Sequence, residues 1–275
     1  EFLTTTDILF YHLDARDRKA DARNLKTILR LLKKEKIILV TSVEAITRKY
    51  VPKKIILDNI FKLKVGQTMD MQDLARRLVD LGYQRVSKVE GFGQFSMRGG
   101  IIDVFTLMYN FPLRLEFFDD EIDSIREFDI YSQKSIDKFK SVTITPSRDF
   151  IYPDDVGGAV EKIRAEVNDI TDSDVFRNME KIGAKEYFDG LENYIDYMYD
   201  GQDKSLFEYL ADDALIFIDD ISRYKERFKN IHSEFKDKYM LNLERGLAIR
   251  GQGNLLYSLS DSIHWMGDRK LIVNS

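Results

Sequence analysis

Two short segments near the middle of the chain alternate apolar with mostly polar residues. In residues 94–98 and 113–118 every second position is apolar, a period of two that predicts strands with one buried and one exposed face. The exposed face of this predicted sheet carries Gln94, Ser96, Arg98, Arg114, Glu116 and Phe118. A large aromatic side chain among charges on an open sheet is typical of a protein-docking surface rather than of a catalytic pocket.

The first part of the chain has the pattern of an α/β protein. Residues 7–13 have the composition of a strand, and 16–34 carry leucine and isoleucine at helical spacing. The continuous apolar run 37–40 predicts a strand buried on both faces, and Ser42 is suited to cap a following helix. This strand–helix alternation predicts a parallel α/β domain.

The pattern changes after residue 59. Residues 70–81 form a predicted helix that Gly82 ends, and from 83 to 145 short strands alternate with turns. We therefore expect a mostly antiparallel α+β domain at 60–145, inserted between two α/β segments at 1–59 and 146–275.

The third segment returns to helices and one apolar strand. The predicted helices are 156–168, 185–198 and 221–239, and the predicted strand, taken as buried, is 214–218. The segment from Arg245 is too mixed to assign, apart from a strand-like end at 270–274.

The composition limits the class of protein. The 275 residues are 44% hydrophobic, enough for two cores, and no apolar run approaches the roughly 18 residues of a membrane span. There is no cysteine, which excludes disulfides and thiolate metal sites and favours a cytoplasmic location. The chain starts at Glu1 rather than at methionine, and we expect it to be part of a longer protein.

The charge is distributed unevenly. Residues 1–59 carry 13 basic and 8 acidic side chains (net +5), residues 60–145 carry 12 and 13 (net −1), and residues 146–275 carry 17 and 26 (net −9). A nearly neutral sheet region is poorly suited to sequence-independent phosphate binding. Direct DNA binding through the basic segment 1–59 remains an alternative, although such charge also suits a solvated helix face.

The sequence contains no recognisable catalytic arrangement. The glycine and lysine pattern of a phosphate-binding P-loop is absent, and the Gly91–Gly93 segment is read as a turn between strands. Asp219 and Asp220 follow the predicted strand 214–218, where a Walker-B carboxylate would hold Mg²⁺. Without a P-loop lysine we read them as structural carboxylates that cap the next helix. The acidic stretch 119–123 lacks the spacing of a calcium loop and is read as a solvated hairpin.

The three histidines lack the spacing of metal ligands, so no metal site is predicted. They are His12, His232 and His264.

Three segments together resemble one known module. They are LGYQRV at 81–86, GQFSMRGGIIDVF at 93–105 and RLEFFDDEIDSIR at 114–126. The module is shared by bacterial transcription-repair coupling factors and by the excision-repair protein UvrB, where it binds UvrA. The flanks 5–11, 38–46 and 190–220 resemble the two parts of the UvrB-like α/β domain, so the likeness implies a partial RecA-like α/β fold around the module.

The resemblance implies contacts for individual residues. Arg98, Arg114 and Phe118 match UvrA-contacting positions of the coupling factors, and Arg85, Arg114 and Glu116 match positions that UvrB uses. The alternative that these are scattered exposed residues becomes weaker, because the alternation alone already assigns four of them to an exposed face.

The resemblance favours a coupling factor over UvrB. UvrB is an ATPase whose corresponding strand ends in an Asp-Glu-Ser-His type of box, whereas this chain has aspartates at 219 and 220 followed by isoleucine and serine. A UvrB-type nucleotide-dependent subunit therefore remains the second reading. The expected role is recruitment of UvrA to stalled RNA polymerase, with no cofactor in this region. ATP, Mg²⁺, a superfamily-2 translocase motor and double-stranded DNA are expected only for the full-length protein.

Overall fold

The structure, a computed structural model, describes residues 1–3, 18–167 and 174–274. The predicted strand 7–13 and His12 lie outside these residues. The chain divides into two compact units, one of residues 1–20, 27–53 and 152–275 and one of residues 21–26 and 54–151.

The described elements are numbered in chain order. The first are β1 (Phe2–Leu3), α1 (Arg18–Leu32), β2 (Val40–Thr41), α2 (Val43–Thr47), α3 (Lys53–Asp58), β3 (Phe61–Lys64) and α4 (Met71–Asp80). Six strands form one sheet: β4 (Gln84–Arg85), β5 (Gln94–Arg98), β6 (Ile101–Val104), β7 (Leu113–Phe118), β8 (Glu121–Phe128) and β9 (Ser135–Lys138). The remainder are β10 (Ser141–Ile144), α5 (Gly157–Glu166), α6 (Asp174–Gly183), α7 (Ile195–Met198), β11 (Leu215–Ile218), α8 (Ile221–Glu244), α9 (Leu259–Gly267) and β12 (Lys270–Val273).

Parallel strands occur in the first unit, as two-stranded pairs. β1 pairs with β2 and β11 pairs with β12, both parallel. Strands form within or next to both runs, at Val40–Thr41 and Leu215–Ile218, but the prediction that these runs are buried is wrong. Ile38 is 83% exposed, and Leu215 and Phe217 are each 60% exposed. Among the described residues each of these strands pairs with a single neighbour, so much of its apolar surface stays uncovered.

The helices of the first unit agree with the pattern in part. α1, α2 and α5 lie within or next to their predicted ranges, and α8 extends five residues beyond its predicted end. The prediction of one helix over 185–198 is wrong, since only a 3-10 turn at 191–194 and the four-residue α7 form there. α6, which the periodicity did not single out, buries Val175, Met179 and Ile182 on one face.

The second unit is built on the six-stranded sheet. Its strand order is β4-β5-β6-β7-β8-β9, antiparallel throughout except for the parallel β4–β5 pair. α4 contributes Leu74 and Leu78 to a core with the inward residues Phe95 and Leu115. Asp70 starts this helix by accepting hydrogen bonds from the amides of residues 72 and 73. Gly82, with φ 84°, follows its end.

Two tight hairpins shape one end of the sheet. Gly99 and Gly100 connect β5 to β6, and the Phe117 amide donates to the Gly100 carbonyl at 2.8 Å. In the β7–β8 hairpin, Glu116 is aligned with Ser124 but Phe117 with Ile122, so Asp123 is an extra residue without an aligned partner on β7. This bulge lies next to the exposed end of β7.

The α/β fold class is confirmed, with parallel pairs in the first unit and a mainly antiparallel sheet in the second. Among the described helices, none is long and apolar enough to cross a membrane.

Candidate protein-interaction surface

The ladder of β5 to β8 brings four of the predicted residues to one side of the sheet. Residues aligned across neighbouring strands lie on the same face of a sheet. One aligned row is Arg98, Ile101, Glu116 and Ser124, and the next is Ser96, Asp103, Arg114 and Arg126. We call the side that carries Arg98, Arg114, Glu116 and Phe118 the open face. It lies opposite the face that packs on α4.

Arg98 and Phe118 are the exposed members of the open face. The Arg98 side chain is 61% exposed and ends 3.9 Å from an Asp103 carboxylate oxygen. Phe118 is 76% exposed at the last position of β7, immediately before the turn at Asp119. Both side chains stand at the hairpin end of the sheet, free to contact a partner over most of their surface.

Glu116 is held by neighbours on the adjacent strand. Its carboxylate forms an ion pair with Arg126 and accepts a hydrogen bond from the Ser124 hydroxyl. The charge of Glu116 is therefore balanced within the sheet.

Arg114 is fixed rather than free. Its Nε and Nη2 donate to the two carboxylate oxygens of Asp103 at 2.7 and 2.8 Å, and Nη2 also donates to Gln133 Oε1 at 2.8 Å. The guanidinium lies 4.1 Å from the ring centre of Phe128, and the side chain is only 12% exposed. Hydrogen bonding to Asp103 chiefly, with attraction to Asp103 and Glu116, raises the Arg114 pKa despite partial burial.

The structure does not bring Arg85 to the same face. β4 aligns Arg85 with Phe95, whose side chain is buried in the core on the opposite side. Arg85 stays exposed because β4 is the edge strand of the sheet. The five predicted contact residues therefore do not form one patch on this sheet.

Two details of the open face differ from the alternation. Ser96 was expected to be exposed but is 2% exposed, and it is aligned with Asp103, which is buried as well. Asp103 itself was missed. The available signal was a single carboxylate inside the apolar run 101–105, on the strand between those that carry Arg98 and Arg114.

The aspartates at the Walker-B position lie at the start of helix α8. Asp220 is the N-cap of α8, and its carboxylate accepts from the amides of Ser222 and Arg223 at 2.9 and 3.0 Å. This confirms the predicted capping role for Asp220, whereas Asp219 does not cap the helix. Asp219 is exposed beside it.

Metal ligation has no evident place in the part of the chain that the structure describes. No group of three or more histidine or carboxylate residues is close enough there to hold an ion. His232 stacks on Phe228, and its two ring nitrogens lie 3.0 and 3.1 Å from the backbone oxygens of Phe228 and Tyr257. A neutral imidazole donates from one of these nitrogens, so we read His232 as a structural residue.

Comparison with known families and proteins identifies the second unit. The family profile of the UvrB interaction domain matches residues 61–150, which include the whole six-stranded sheet.

Three curated relatives extend the similarity to most of the chain, and all are named transcription-repair-coupling factor. That of Staphylococcus haemolyticus is 30% identical over 269 residues, 94% of this chain and 23% of the relative. That of Staphylococcus epidermidis is 31% identical over 270 residues, again 94% and 23%. That of Bacillus subtilis is 32% identical over 238 residues, 82% and 20%. The chain thus spans about a quarter of the length of these relatives. The chain therefore corresponds to one region of the transcription-repair-coupling factors, a region that contains a UvrB interaction domain.

Proposed function

We propose that this region binds UvrA through the open face and thereby recruits nucleotide excision repair to stalled RNA polymerase. The observation that carries the proposal is that Arg98 and Phe118 are both exposed at the hairpin end of one sheet face in a UvrB interaction domain. Arginine and a large aromatic exposed on one face are the residue types enriched in interface hot spots.

In this proposal the two exposed residues have different tasks. Arg98 pairs with an acidic group of UvrA, and Phe118 provides the apolar anchor that excludes water around that pair. Arg114 and Glu116 border the contact, while Arg85 reaches UvrA only if UvrA also wraps the β4 edge.

The whole protein would supply the remaining activities. We propose an ATP- and Mg²⁺-dependent translocase of helicase superfamily 2 that acts on double-stranded DNA and contacts RNA polymerase in the cytoplasm. The region described here would be non-catalytic and would need no cofactor. Its Asp220 is already engaged in capping α8, which supports this division of labour.

The test is a binding measurement between purified bacterial UvrA and the chain. Arg98→Ala and Phe118→Ala should each weaken binding, by about 2–5 kcal/mol for the charged contact. Arg76→Ala is the matched control, because Arg76 is a similarly exposed arginine on α4 whose ion pair with Asp73 is local to that helix. Binding of both variants with the parent's affinity would disprove the proposal.

ATP hydrolysis by the purified chain separates the proposal from the second reading. A UvrB-type nucleotide-dependent subunit predicts turnover that Asp219→Ala and Asp220→Ala both reduce. We expect no turnover above a buffer control, and a DNA-stimulated rate would favour the second reading.

A further inference from the structure

Asp103 lies at the centre of the open face. It is 2% exposed, on the central strand β6, between the two arginines implicated in docking. Its carboxylate holds Arg114 through two hydrogen bonds and lies 3.9 Å from Arg98. A partner protein would meet the arginines first, since this carboxylate is covered.

We propose that Asp103 is a positioning residue of the docking surface: it fixes Arg114 and reduces the local charge so that the surface receives one carboxylate of the partner. This inference rests on the proposed binding of UvrA. It adds a residue that does not itself touch UvrA.

The geometry supports the positioning role. A guanidinium that donates through Nε and Nη2 to one carboxylate is held in a single orientation, because the two parallel hydrogen bonds fix its plane. The Phe128 ring lies against the face of this guanidinium, and Gln133 accepts a hydrogen bond from it, so both further restrict its orientation. The Nη1 edge makes no described contact within the chain and is left to donate to an oxygen of the partner.

The charges support the selection of one carboxylate. Arg98, Arg114 and Asp103 sum to one positive charge, and Glu116 with Arg126 adds none because the two form an ion pair. A single acidic side chain neutralises this centre. A second one would remain unpaired in the interface, which is costly.

Asp103→Asn distinguishes a positioning role from attraction by net charge, because the two predict opposite changes in the affinity for UvrA. The asparagine keeps the shape but adds one positive charge to the face, so a partner attracted only by charge would bind more tightly. If Asp103 positions Arg114, binding of UvrA should weaken about tenfold or more, because a charge-assisted pair is lost. Affinity equal to or above that of the parent overturns the inference.

Arg114→Lys keeps the experiment decisive if Asp103→Asn does not fold. Lysine keeps the charge but not the two-pronged contact, so UvrA binding should again weaken about tenfold, and unchanged affinity overturns the inference. With both variants folded, their combined loss should be smaller than the sum of the single losses, because both act on one contact. By contrast, the losses of UvrA binding free energy from Asp103→Asn and Phe118→Ala should add in full, because the two residues act on different contacts. A general folding defect would not distinguish this double variant from the one with Arg114→Lys.

The two proposals fail in different ways. If the parent chain does not bind UvrA, the proposed function fails, and the positioning half of the inference is read from the Arg114 Nε–H in NMR. Slow hydrogen exchange at this Nε–H in the parent and fast exchange in Asp103→Asn supports it, and equal rates overturn it. If the parent binds UvrA and Arg98→Ala does not, but Asp103→Asn binds like the parent, only the inference fails.

Discussion

At the scale of single residues, Arg98 and Arg114 differ in what surrounds them. Arg98 lies mostly in solvent near the sheet's hairpin end, whereas Arg114 is held by Asp103, Gln133 and the Phe128 ring. An exposed charge contributes little to stability, but a buried carboxylate depends on its partner. The same substitution should therefore affect the two positions differently.

Arg114→Lys should lower the free energy of unfolding by about 1–3 kcal/mol, because Asp103 loses one of its two charge-assisted hydrogen bonds while staying buried. Arg98→Lys is the matched control and should stay within about 0.5 kcal/mol. Urea denaturation of both variants measures the difference. Equal stability of the two would mean that Asp103 does not depend on the fork geometry of Arg114.

At the scale of elements, the β5–β6 hairpin depends on two glycines for different reasons. Gly99 has φ +56° with open space around it, whereas a Cβ on Gly100 would lie 2.9 Å from the Phe117 backbone oxygen. A flexible side chain could move aside, but the backbone of a neighbouring strand cannot do so without separating β6 from β7.

Gly100→Ala should therefore destabilise the chain more than Gly99→Ala, for which about 1 kcal/mol of left-handed strain is expected. Gly99→Asn should be the mildest change, since asparagine tolerates this conformation. Thermal unfolding of the three variants gives the order. A Gly100→Ala variant as stable as the parent would contradict the close approach seen between the two strands.

The start of α8 allows a second test at this scale. Asp220→Ala should cost about 1 kcal/mol of stability, because two amide donors lose their acceptor, whereas Asp220→Asn should cost much less. Asp219→Ala serves as the control, because Asp219 is exposed beside the cap. Chemical denaturation followed by circular dichroism provides the comparison, and equal losses at 219 and 220 would exclude a capping role.

Elements with a clear period could be predicted from the sequence, and elements that depend on neighbours could not. The alternation in β7 gave the correct faces, and the helical spacing gave α1 and α4. Apolar runs were misread at β2 and β11, because composition does not reveal how many strands cover a strand. The role of Arg114 was hidden for a related reason: its partner Asp103 is aligned with it only by the register of β6 and β7.

At the scale of the whole molecule, buried tyrosines occur in both units. Burial raises the pKa of Tyr194 to about 12 from its ordinary value of 10.0, and it also raises the pKa values of Tyr83 and Tyr199. Tyr83 in addition donates to the Thr145 carbonyl at 2.8 Å, a bond that the ionised phenol cannot make.

The chain should therefore lose stability as the pH rises above about 10. A raised pKa means that the folded state binds the proton more tightly than the unfolded state, so this stabilisation is complete below pH 10 and is lost as the pH passes through the folded pKa, about 12 for Tyr194. Melting temperatures between pH 8 and 11, with tyrosinate absorbance recorded in parallel, measure the effect. Ionisation of all tyrosines near pH 10 without unfolding would contradict it.

Because the β7–β8 hairpin contains an extra residue, its length can change without altering how the Phe118 side chain is presented. Asp123 has no aligned residue on β7, and the residues on either side of it, Ile122 and Ser124, already point to the core and to the open face. A shorter chain without residue 123 would form a regular ladder and keep both orientations. Hairpins of two lengths can thus present Phe118 in the same way, so insertions and deletions at this position are compatible with an unchanged binding surface during evolution.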